Sequence, residues 1–451
     1  MTGPTSAPGP HPDAAPLASS SVDLGPWRPA LALHRAFVLG ALGALAAVAL
    51  RRADVLVLAT PMLVVAAWGW WARPRHTARA WARVDNRRIA EGTSTTCTLE
   101  VSLPSGGEQT LAHLPDGPFV EVHDGAQARR ASHDGVLATH SWRVRPTRWG
   151  TPTVGPALVV VRSPWWAYRT TASPVELGSM TVTPQGSGFD SDATTPHPEG
   201  LVGVNRSSRS GTGAEFATIR PFVVGDRLRR IHWPASLRSG ELHVTTTYAD
   251  QDAHVALVVD AFSDLGPREG IDGRPTSLDL TVRASASLAD HYLGIGDRVS
   301  LRVLGARGIP RLAPRAGSVQ ARRVLDTLAR VEPASDRDPV LGHLTEGLTS
   351  GSLVVVLTPL VHPAMAGAAA ALAARGLTTV VVDTMPEHLW ADADDVYLAL
   401  AWRLRRLDRD EQIHRLGTLG VPVVPWRGPG SLDEVLRGAA RRSRRPKLAR
   451  R

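Results

Sequence analysis

Residues 213–248 read GAEFATIRPFVVGDRLRRIHWPASLRSGELHVTTTY, and the run HVALVVD follows at residues 254–260. The first stretch concentrates acidic and basic side chains, whereas the second is a short valine-rich run typical of a buried strand. Charged side chains beside a buried strand indicate a constrained polar network, with a solvated surface loop as the alternative. We interpret residues 213–248 as a hinge between two domains, and call this segment the junction.

Local chemistry predicts the backbone course of the junction. Asp226 is placed to cap a short helical turn through Trp233, because its carboxylate can accept hydrogen bonds from the N–H groups of that turn. Pro234 is expected to end the turn, since proline disfavours helical geometry at the residue before it. Ser239-Gly240 then predicts a tight turn into a strand near residues 242–247.

The junction contains two carboxylates, Glu215 and Asp226, for which two roles are open. In the first, Arg220 or Arg230 clamps one of these carboxylates in bidentate fashion and braces the boundary between two domains. In the second, the carboxylates converge with Arg230 and His232 on an open pocket and form the active site of an enzyme, such as a hydrolase.

The order of residues in the junction resembles the central motif of the bacterial "domain of unknown function 58" family. The matching residues are Glu215-Phe216, Arg220-Pro-Phe222, Gly225-Asp226, Arg230-Ile231-His232-Trp233 and Leu242-His-Val244. The chain departs from the family pattern at Phe222, Pro234 and Leu237, where tyrosine, lysine and alanine are more common. The biochemical activity of this family is undefined. The resemblance therefore implies membership of the family but does not imply a particular reaction.

The composition excludes several kinds of chemistry. The chain has 451 residues, a formal net charge of +9 and 43% hydrophobic residues, and is long enough for two or three folded domains. Lys447 is the only lysine, so none is available for a phosphate-binding loop or an internal Schiff base. Cys97 is the only cysteine, which excludes an intrachain disulfide and a multi-cysteine metal site.

The N-terminal region predicts a membrane anchor. Residues 1–30 are rich in proline, alanine and serine and are expected to form a disordered tail. Residues 31–72 contain two apolar segments on either side of Arg51-Arg52, and each approaches the ~20 apolar residues that a helix needs to cross a bilayer. Because neither segment has a polar face, we expect two transmembrane helices and not two core helices of a soluble domain.

The distribution of arginines predicts the orientation of these helices. More arginines follow the second segment than precede the first, so the positive-inside rule keeps both termini in the cytoplasm. Trp68, Trp70 and Trp71 end the second segment, where indole rings favour the headgroup region. The expected location is the plasma membrane, as a multi-pass protein with cytoplasmic soluble domains.

Residues 76–184 alternate between apolar and polar side chains. Cys97, Leu99 and Val101 alternate with polar residues, as is typical of a half-buried strand. Several short strands separated by proline, glycine and aspartate predict a β-sandwich-like domain. Residues 185–212 are rich in small and polar residues without periodicity, which indicates a linker.

Residues 249–436 alternate between apolar strands and helices. The predicted strands are 255–260, 299–304, 353–358, 379–383 and 421–424. The predicted helices are 278–293, 318–331, 363–375 and 431–436, with Ser318 as an N-cap and Gly376 just past a C-terminus. This alternation predicts a mostly parallel sheet with helices on both faces. The family resemblance implies that this region has a von Willebrand factor A-like fold.

The resemblance to a von Willebrand factor A fold implies a divalent cation at the end of the first strand, held by an Asp-x-Ser-x-Ser loop. The corresponding residues are Asp260-Ala-Phe-Ser-Asp264, with Thr358 as a further oxygen donor at another strand end. Phe262 replaces the first serine and removes a hydroxyl ligand. We therefore expect no cofactor, and Asp260 and Asp264 are the candidate ligands if Mg²⁺ does bind.

Residues 437–451 form a basic tail. Its arginines predict binding to the anionic headgroups of a lipid surface, with a solvated disordered tail as the alternative. We expect no specific nucleic-acid partner, because the lipid surface is nearer in a membrane-anchored protein.

Two classes of function follow. The first is a membrane-anchored, non-enzymatic interaction or assembly protein, for which the family resemblance implies association with a MoxR-type AAA+ ATPase and with transglutaminase-like membrane proteins. The ATP site then belongs to the partner, in keeping with the missing phosphate-binding lysine. The second class is the enzyme that uses Glu215, Asp226, Arg230 and His232.

Overall fold

A computed structural model describes most of the chain, in segments separated by short gaps. The described residues are 21–103, 108–123, 129–130, 132–133, 136–163, 166–186, 210–223, 228, 231–248, 254–294, 296–306, 308–333, 344, 346–348, 352–390 and 396–428. Residues 1–20 of the predicted tail, most of the linker, the predicted helix 431–436 and the basic tail 437–451 lie outside them. The chain divides into two compact units, Met1–Val182 and Thr183–Arg451.

The first unit contains two consecutive apolar helices, α1 (Leu31–Leu50) and α2 (Ala53–Trp71). Each is long and apolar enough to span a membrane. Small residues bring the two helices together, since a Cβ on Gly43 would lie 2.6 Å from the Cβ of Ala59. Most of the remaining apolar side chains on both helices are exposed.

The rest of the first unit consists of short strands. They are β1 (Val22–Leu24), β2 (Arg28–Pro29), β3 (Ala78–Val84), β4 (Arg88–Ala90), β5 (Thr95–Ser102), β6 (Gln109–His113), β7 (Val120–Val122), β8 (Arg129–Arg130), β9 (Ser132–His133), β10 (Leu137–Pro146), β11 (Thr153–Val154), β12 (Ala157–Arg162), β13 (Tyr168–Arg169), β14 (Ser173–Val175), β15 (Gly178–Ser179) and β16 (Thr181–Thr183). Most of them belong to two six-stranded antiparallel sheets. One has the order β1-β3-β5-β10-β7 with β9 beside β10, and the other has the order β2-β13-β12-β6-β8 with β14 beside β12.

The two six-stranded sheets share one hydrophobic core. Residues at alternate positions of β5 and β12 are buried, as period-two sequences require. Leu99 of the first sheet, Val159 of the second and the fully buried Trp142 belong to the same cluster. Burial in this cluster accounts for the apolar residues found at every second position of these strands.

One prediction for the first unit is wrong. Residues 22–29 were expected in a disordered tail, but β1 pairs with β3 and β2 pairs with β13. Leu24 is fully buried in the core, and the indole N–H of Trp27 donates a hydrogen bond of 2.9 Å to the His76 carbonyl. Two strands this short carry too little periodicity to be recognised locally, and tertiary contacts decide their structure.

The second unit begins with the junction. Its elements are β17 (Ser210–Pro221), α3 (Trp233–Ser239) and β18 (His243–Tyr248). β17 and β18 pair in antiparallel fashion with two register shifts, and the end of the predicted linker is already part of β17. Gly240 has φ +75° and ends α3, so the predicted tight turn into a strand is confirmed.

The remainder of the second unit is a mixed sheet with helices. Its strands are β19 (His254–Asp260), β20 (Arg298–Leu304), β21 (Leu312–Arg315), β22 (Leu353–Thr358), β23 (Thr378–Asp383) and β24 (Val423–Pro425), and its helices are α4 (Ser277–Gly294), α5 (Ser318–Leu328), α6 (Pro363–Ala374) and α7 (Val396–Thr418). The order is β21-β20-β19-β22-β23-β24. β20–β21 is antiparallel and the other pairs are parallel. Every residue of β19 and β22 is buried, which explains their uninterrupted apolar runs.

Several details of the second unit differ from the sequence prediction, and one of them is the edge strand β21, which was not predicted. Gly317, not Ser318, is the N-cap of α5, while Gly376 adopts φ +79° past α6 as predicted. The sequence prediction did not include α7, whose 23 residues carry many arginines and expose most of their side chains. A surface helix is usually recognised by one apolar stripe. The apolar residues of α7 lie on two opposite faces, so its sequence does not show this pattern.

Candidate functional site

The junction helix α3 is capped by a histidine. The Nδ1 atom of His232 accepts a hydrogen bond of 3.1 Å from the backbone N–H of Ala235. Pro234 lies in the first turn of the helix, so the prediction that it ends a helical turn is wrong. A backbone N–H in the first turn of a helix has no partner within the helix, so proline, which lacks this N–H, loses no hydrogen bond there. Its fixed φ also suits the start of a helix.

A network of hydrogen bonds ties α3 to β18. The Ser236 hydroxyl donates to the His232 carbonyl at 3.0 Å and accepts from the His243 N–H at 2.9 Å. The His232 N–H donates to the His243 carbonyl at 2.8 Å. Sequence reasoning did not predict the contact between Ser236 and His243, because these residues become neighbours only when the chain reverses at Gly240.

Ser239 and His243 form a close hydroxyl–imidazole contact within the junction. The Ser239 Oγ lies 3.0 Å from Nδ1 of His243, and the same Nδ1 lies 2.9 Å from the Glu241 carbonyl oxygen. A carbonyl oxygen can only accept, so Nδ1 carries the proton and cannot serve as a base for Ser239. The Ser239 hydroxyl donates to the Ala235 carbonyl at 3.0 Å. The pair is therefore a structural contact and not an activated nucleophile.

The structure describes only part of the predicted motif. Gly225, Asp226 and Arg230 lie outside the described residues, and of Glu215 and Phe216 only the backbone course in β17 is described. Arg220 donates to the Pro221 carbonyl at 3.1 Å. Ile231 forms an isolated bridge with Val244. The predicted carboxylate clamp thus stays a prediction.

Part of the junction surface is apolar. Trp233 and Leu237, one helical turn apart on α3, have 60% and 82% of their surface exposed. Val223, Leu228 and Leu242 are also exposed. Exposed large apolar side chains in one segment are typical of a surface that contacts another molecule.

Asp260 ends β19 in a closed environment. Its carboxylate accepts a hydrogen bond of 2.6 Å from the Thr358 hydroxyl and one of 3.0 Å from the Phe262 N–H. Burial raises the pKa of the Asp260 carboxyl, an effect that these two hydrogen bonds oppose. The Phe262 ring stacks on the imidazole of His362, with the ring centres 4.3 Å apart.

These residues do not fit the Mg²⁺ site that the fold resemblance implies. Phe262 supplies no oxygen, and both oxygens of Asp260 already have protein partners. Asp264 forms an ion pair of 2.9 Å with Arg268. Within the described segments, no group of three histidine, cysteine or acidic side chains is arranged to hold a metal ion.

A buried ion pair fixes α7 at the ends of two strands. Arg409 donates from Nε to the Pro359 carbonyl at 3.0 Å and forms a short ion pair with Asp383. Asp383 also accepts a hydrogen bond of 3.0 Å from the Met385 N–H. Arg409, together with Leu416, faces the body of the unit, and this orientation determines which side of α7 faces outward.

The outward side of α7 carries an apolar stripe, which we call the α7 stripe. Its members are Tyr397, Leu400, Leu404 and Leu407, which are 83%, 56%, 58% and 61% exposed. Their spacing of three and four residues places them on one helical face, roughly opposite Arg409 and Leu416 at ~100° per residue. Sequence reasoning missed this stripe, although the heptad-like spacing was the available signal.

Comparisons with known proteins agree with the resemblance noted in the junction. The chain is 27% identical over 124 residues to "Uncharacterized protein Rv1480" of Mycobacterium tuberculosis and to "Uncharacterized protein Mb1516" of Mycobacterium bovis. Each alignment covers 28% of this chain and 38% of the relative, so the chain spans well under half the length of these relatives. Residues 218–396, which include most of the junction and the sheet up to the start of α7, match the family model described as "Protein of unknown function DUF58".

Proposed function

We propose that this chain is a membrane-anchored, non-enzymatic interaction protein. In this proposal α1 and α2 form a transmembrane hairpin, and the second unit is a von Willebrand factor A-like docking module. The soluble parts then lie on the cytoplasmic side of the cell membrane, with both termini there. A basic tail at residues 437–451 adds contacts with anionic lipid.

Exposed apolar side chains on α1 and α2 support the membrane anchor. Val48 of α1 is 77% exposed and Leu58 of α2 is 81% exposed. Fully burying one such side chain is worth about 1.5–3 kcal/mol, so two helices with apolar residues on every side are strongly unfavourable in water. Hydrocarbon surroundings remove this cost, and the backbone groups of a helix are already paired.

The single observation that carries the docking role is the α7 stripe. Its four large apolar side chains point away from the face that Arg409 anchors. This geometry suits a helix or an apolar groove of a partner protein. The resemblance to the "domain of unknown function 58" family favours a MoxR-type AAA+ ATPase as that partner, with a transglutaminase-like membrane protein as a further component. ATP would be bound by the ATPase, since Lys447 is the only lysine of this chain.

Direct binding tests this proposal. The full chain, solubilised from membranes, is mixed with a purified MoxR-type ATPase from the same genome, and the dissociation constant is measured. We expect the variant Leu400→Glu/Leu404→Glu to bind at least about tenfold more weakly, because two charges would be buried in an apolar contact. The variant still exposes both residues when unbound, so its unfolding temperature should stay close to that of the unmodified chain.

A matched control separates the stripe from general charge effects. Val319→Glu/Leu419→Glu adds the same two charges at exposed apolar positions outside the stripe, and should bind as the unmodified chain does. Equal binding by the stripe variant and this control would refute the stripe as the docking surface. Absence of binding by the unmodified chain would refute the ATPase as partner.

A further inference from the structure

Three arginines lie side by side across adjacent strands of the first unit. Arg162 of β12 pairs in register with Arg169 of β13, and Arg169 pairs with Arg28 of β2. Directly paired residues of antiparallel strands lie on the same face, with Cβ atoms about 4.5–5.5 Å apart. The three side chains therefore form one row, which we call the arginine row.

The arginine row has no acidic partner among the residues that the structure describes. Ion pairs occur elsewhere in the unit, for example between Arg79 and Asp23, but none involves a member of the row. Arg28 and Arg169 are exposed, and Arg162 is half-buried. Like charges placed directly opposite each other destabilise a sheet, so this arrangement favours an anion that bridges them.

An apolar groove lies next to the arginine row. It has a volume of about 530 Å³ and is lined by Leu33 of α1, Val64 and Trp68 of α2, and Trp166. This volume is in the range of small-ligand sites, roughly 300–1,000 Å³. Its lining is almost entirely apolar, which suits a hydrocarbon chain.

Trp166 connects the groove with the arginine row. Its ring lines the groove, while the guanidinium carbon of Arg162 lies 4.8 Å from the ring centre. The backbone of Trp166 has φ +58°, a conformation that a bulky residue rarely adopts without a compensating role. The Ala30 N–H donates to the Ala167 carbonyl at 2.8 Å, which fixes this loop to the start of α1.

We propose that the arginine row and the groove together bind one anionic phospholipid. The headgroup phosphate accepts hydrogen bonds from the guanidinium groups, which match phosphate oxygens in bidentate fashion. One acyl chain occupies the groove against Leu33 and Trp68. The inference rests on the proposed membrane anchor, because Arg28 immediately precedes α1 and the row then lies at the headgroup level of the bilayer.

Lipid retention by the full chain tests the headgroup half of the site. The chain is purified in micelles that contain equal amounts of phosphatidylglycerol and phosphatidylcholine, and the bound lipid is measured by native mass spectrometry. We expect phosphatidylglycerol to be enriched at least about tenfold, and the enrichment to be lost in Arg28→Gln/Arg162→Gln/Arg169→Gln, because several charge-assisted hydrogen bonds disappear.

The matched control removes the same charge elsewhere in the first unit. Arg83→Gln/Arg87→Gln/Arg143→Gln changes three exposed arginines that lie outside the row, and should keep the enrichment. Equal loss in both triple variants would show a general charge effect and overturn the inference. No enrichment in the unmodified chain would overturn it as well.

A second pair of variants tests the acyl half of the site. Ala32→Phe places a ring into the groove, and we expect it to reduce phosphatidylglycerol retention with the arginine row intact. Ala49→Phe, an exposed position near the other end of α1, is the control. Retention that is unchanged by Ala32→Phe would exclude the groove as the acyl site.

Carbonate extraction of membranes distinguishes failure of this inference from failure of the anchor. If the chain stays in the membrane pellet but shows no preference for phosphatidylglycerol, the lipid site is wrong and the anchor stands. If the chain leaves the pellet, the proposed anchor is wrong. The proposed lipid site, which depends on that anchor, is then wrong as well.

Discussion

At the scale of single residues, two buried histidines have pKa values below the ordinary range. His254 bridges two strands, with Nε2 2.9 Å from the Ser300 hydroxyl and Nδ1 2.9 Å from the Ser352 hydroxyl. Burial, together with the positive charges of the nearby Arg302 and Arg298, lowers the pKa of His254 to about 4. His140 of the first unit, also buried, has its pKa lowered to about 4 by burial.

The lowered pKa of His254 predicts a loss of stability in acid. The folded state binds its proton less readily than the unfolded state, whose pKa is near 6.5. Stability is therefore fully present above pH 6.5 and falls as the pH drops toward 4, by about 2–3 kcal/mol for this group. The free energy of unfolding, measured between pH 7 and 4.5, should fall less steeply in His254→Gln. An identical slope in the variant would show that another group dominates.

At the scale of elements, buried contacts on one face of α7 hold this helix against the second unit. Arg409 joins it to the Pro359 carbonyl and to Asp383, and the apolar stripe consequently faces outward. In the junction, His232 caps α3 and Ser236 ties the helix to β18. In both helices the residues that make these contacts are buried or half-buried, while apolar residues on other faces are exposed.

Arg409→Gln should release α7 from the sheet. Removing one partner of a buried ion pair leaves Asp383 without its counter-charge and typically costs about 3–5 kcal/mol. Hydrogen exchange of the α7 amides should accelerate, while exchange in the first unit stays unchanged. Arg403→Gln, at an exposed position on the same helix, is the control. Equal exchange in the two variants would show that the ion pair does not anchor the helix.

At the scale of the whole molecule, the proposed topology places the residues before α1 and those after α2 on the cytoplasmic side of the membrane. Cys97 is fully buried and burial raises the pKa of its thiol to about 12, so the native thiol should not react with maleimides. Any labelling of the folded chain then reports an engineered cysteine.

Cysteine labelling tests this topology. His76→Cys lies just past α2 and is exposed, so a membrane-impermeant maleimide should label it only after the cells are lysed. Arg52→Cys lies in the connection between α1 and α2 and should be labelled in intact cells. The reverse pattern would invert the proposed orientation, because the basic connection would then be the cytoplasmic side.

The sequence alone determined the elements whose pattern is local. Uninterrupted apolar residues predict α1 and α2, valine-rich runs predict β19 and β22, and Ser239-Gly240 predicts the turn after α3. Each depends on residues that are neighbours in the chain, so periodicity and turn chemistry are sufficient. Phe262 was singled out in a different way, because the resemblance to a known family implies a serine at that position of the Asp260 loop.

Only the tertiary structure decided the features that depend on strand register and on distant partners. Arg28, Arg162 and Arg169 are widely separated in sequence, and they form a row only because β2, β13 and β12 pair in one particular register. The outward face of α7 likewise depends on the contact between Arg409 and Asp383. Local periodicity carries no information about which distant strand or side chain will be the neighbour, and that choice is made by packing.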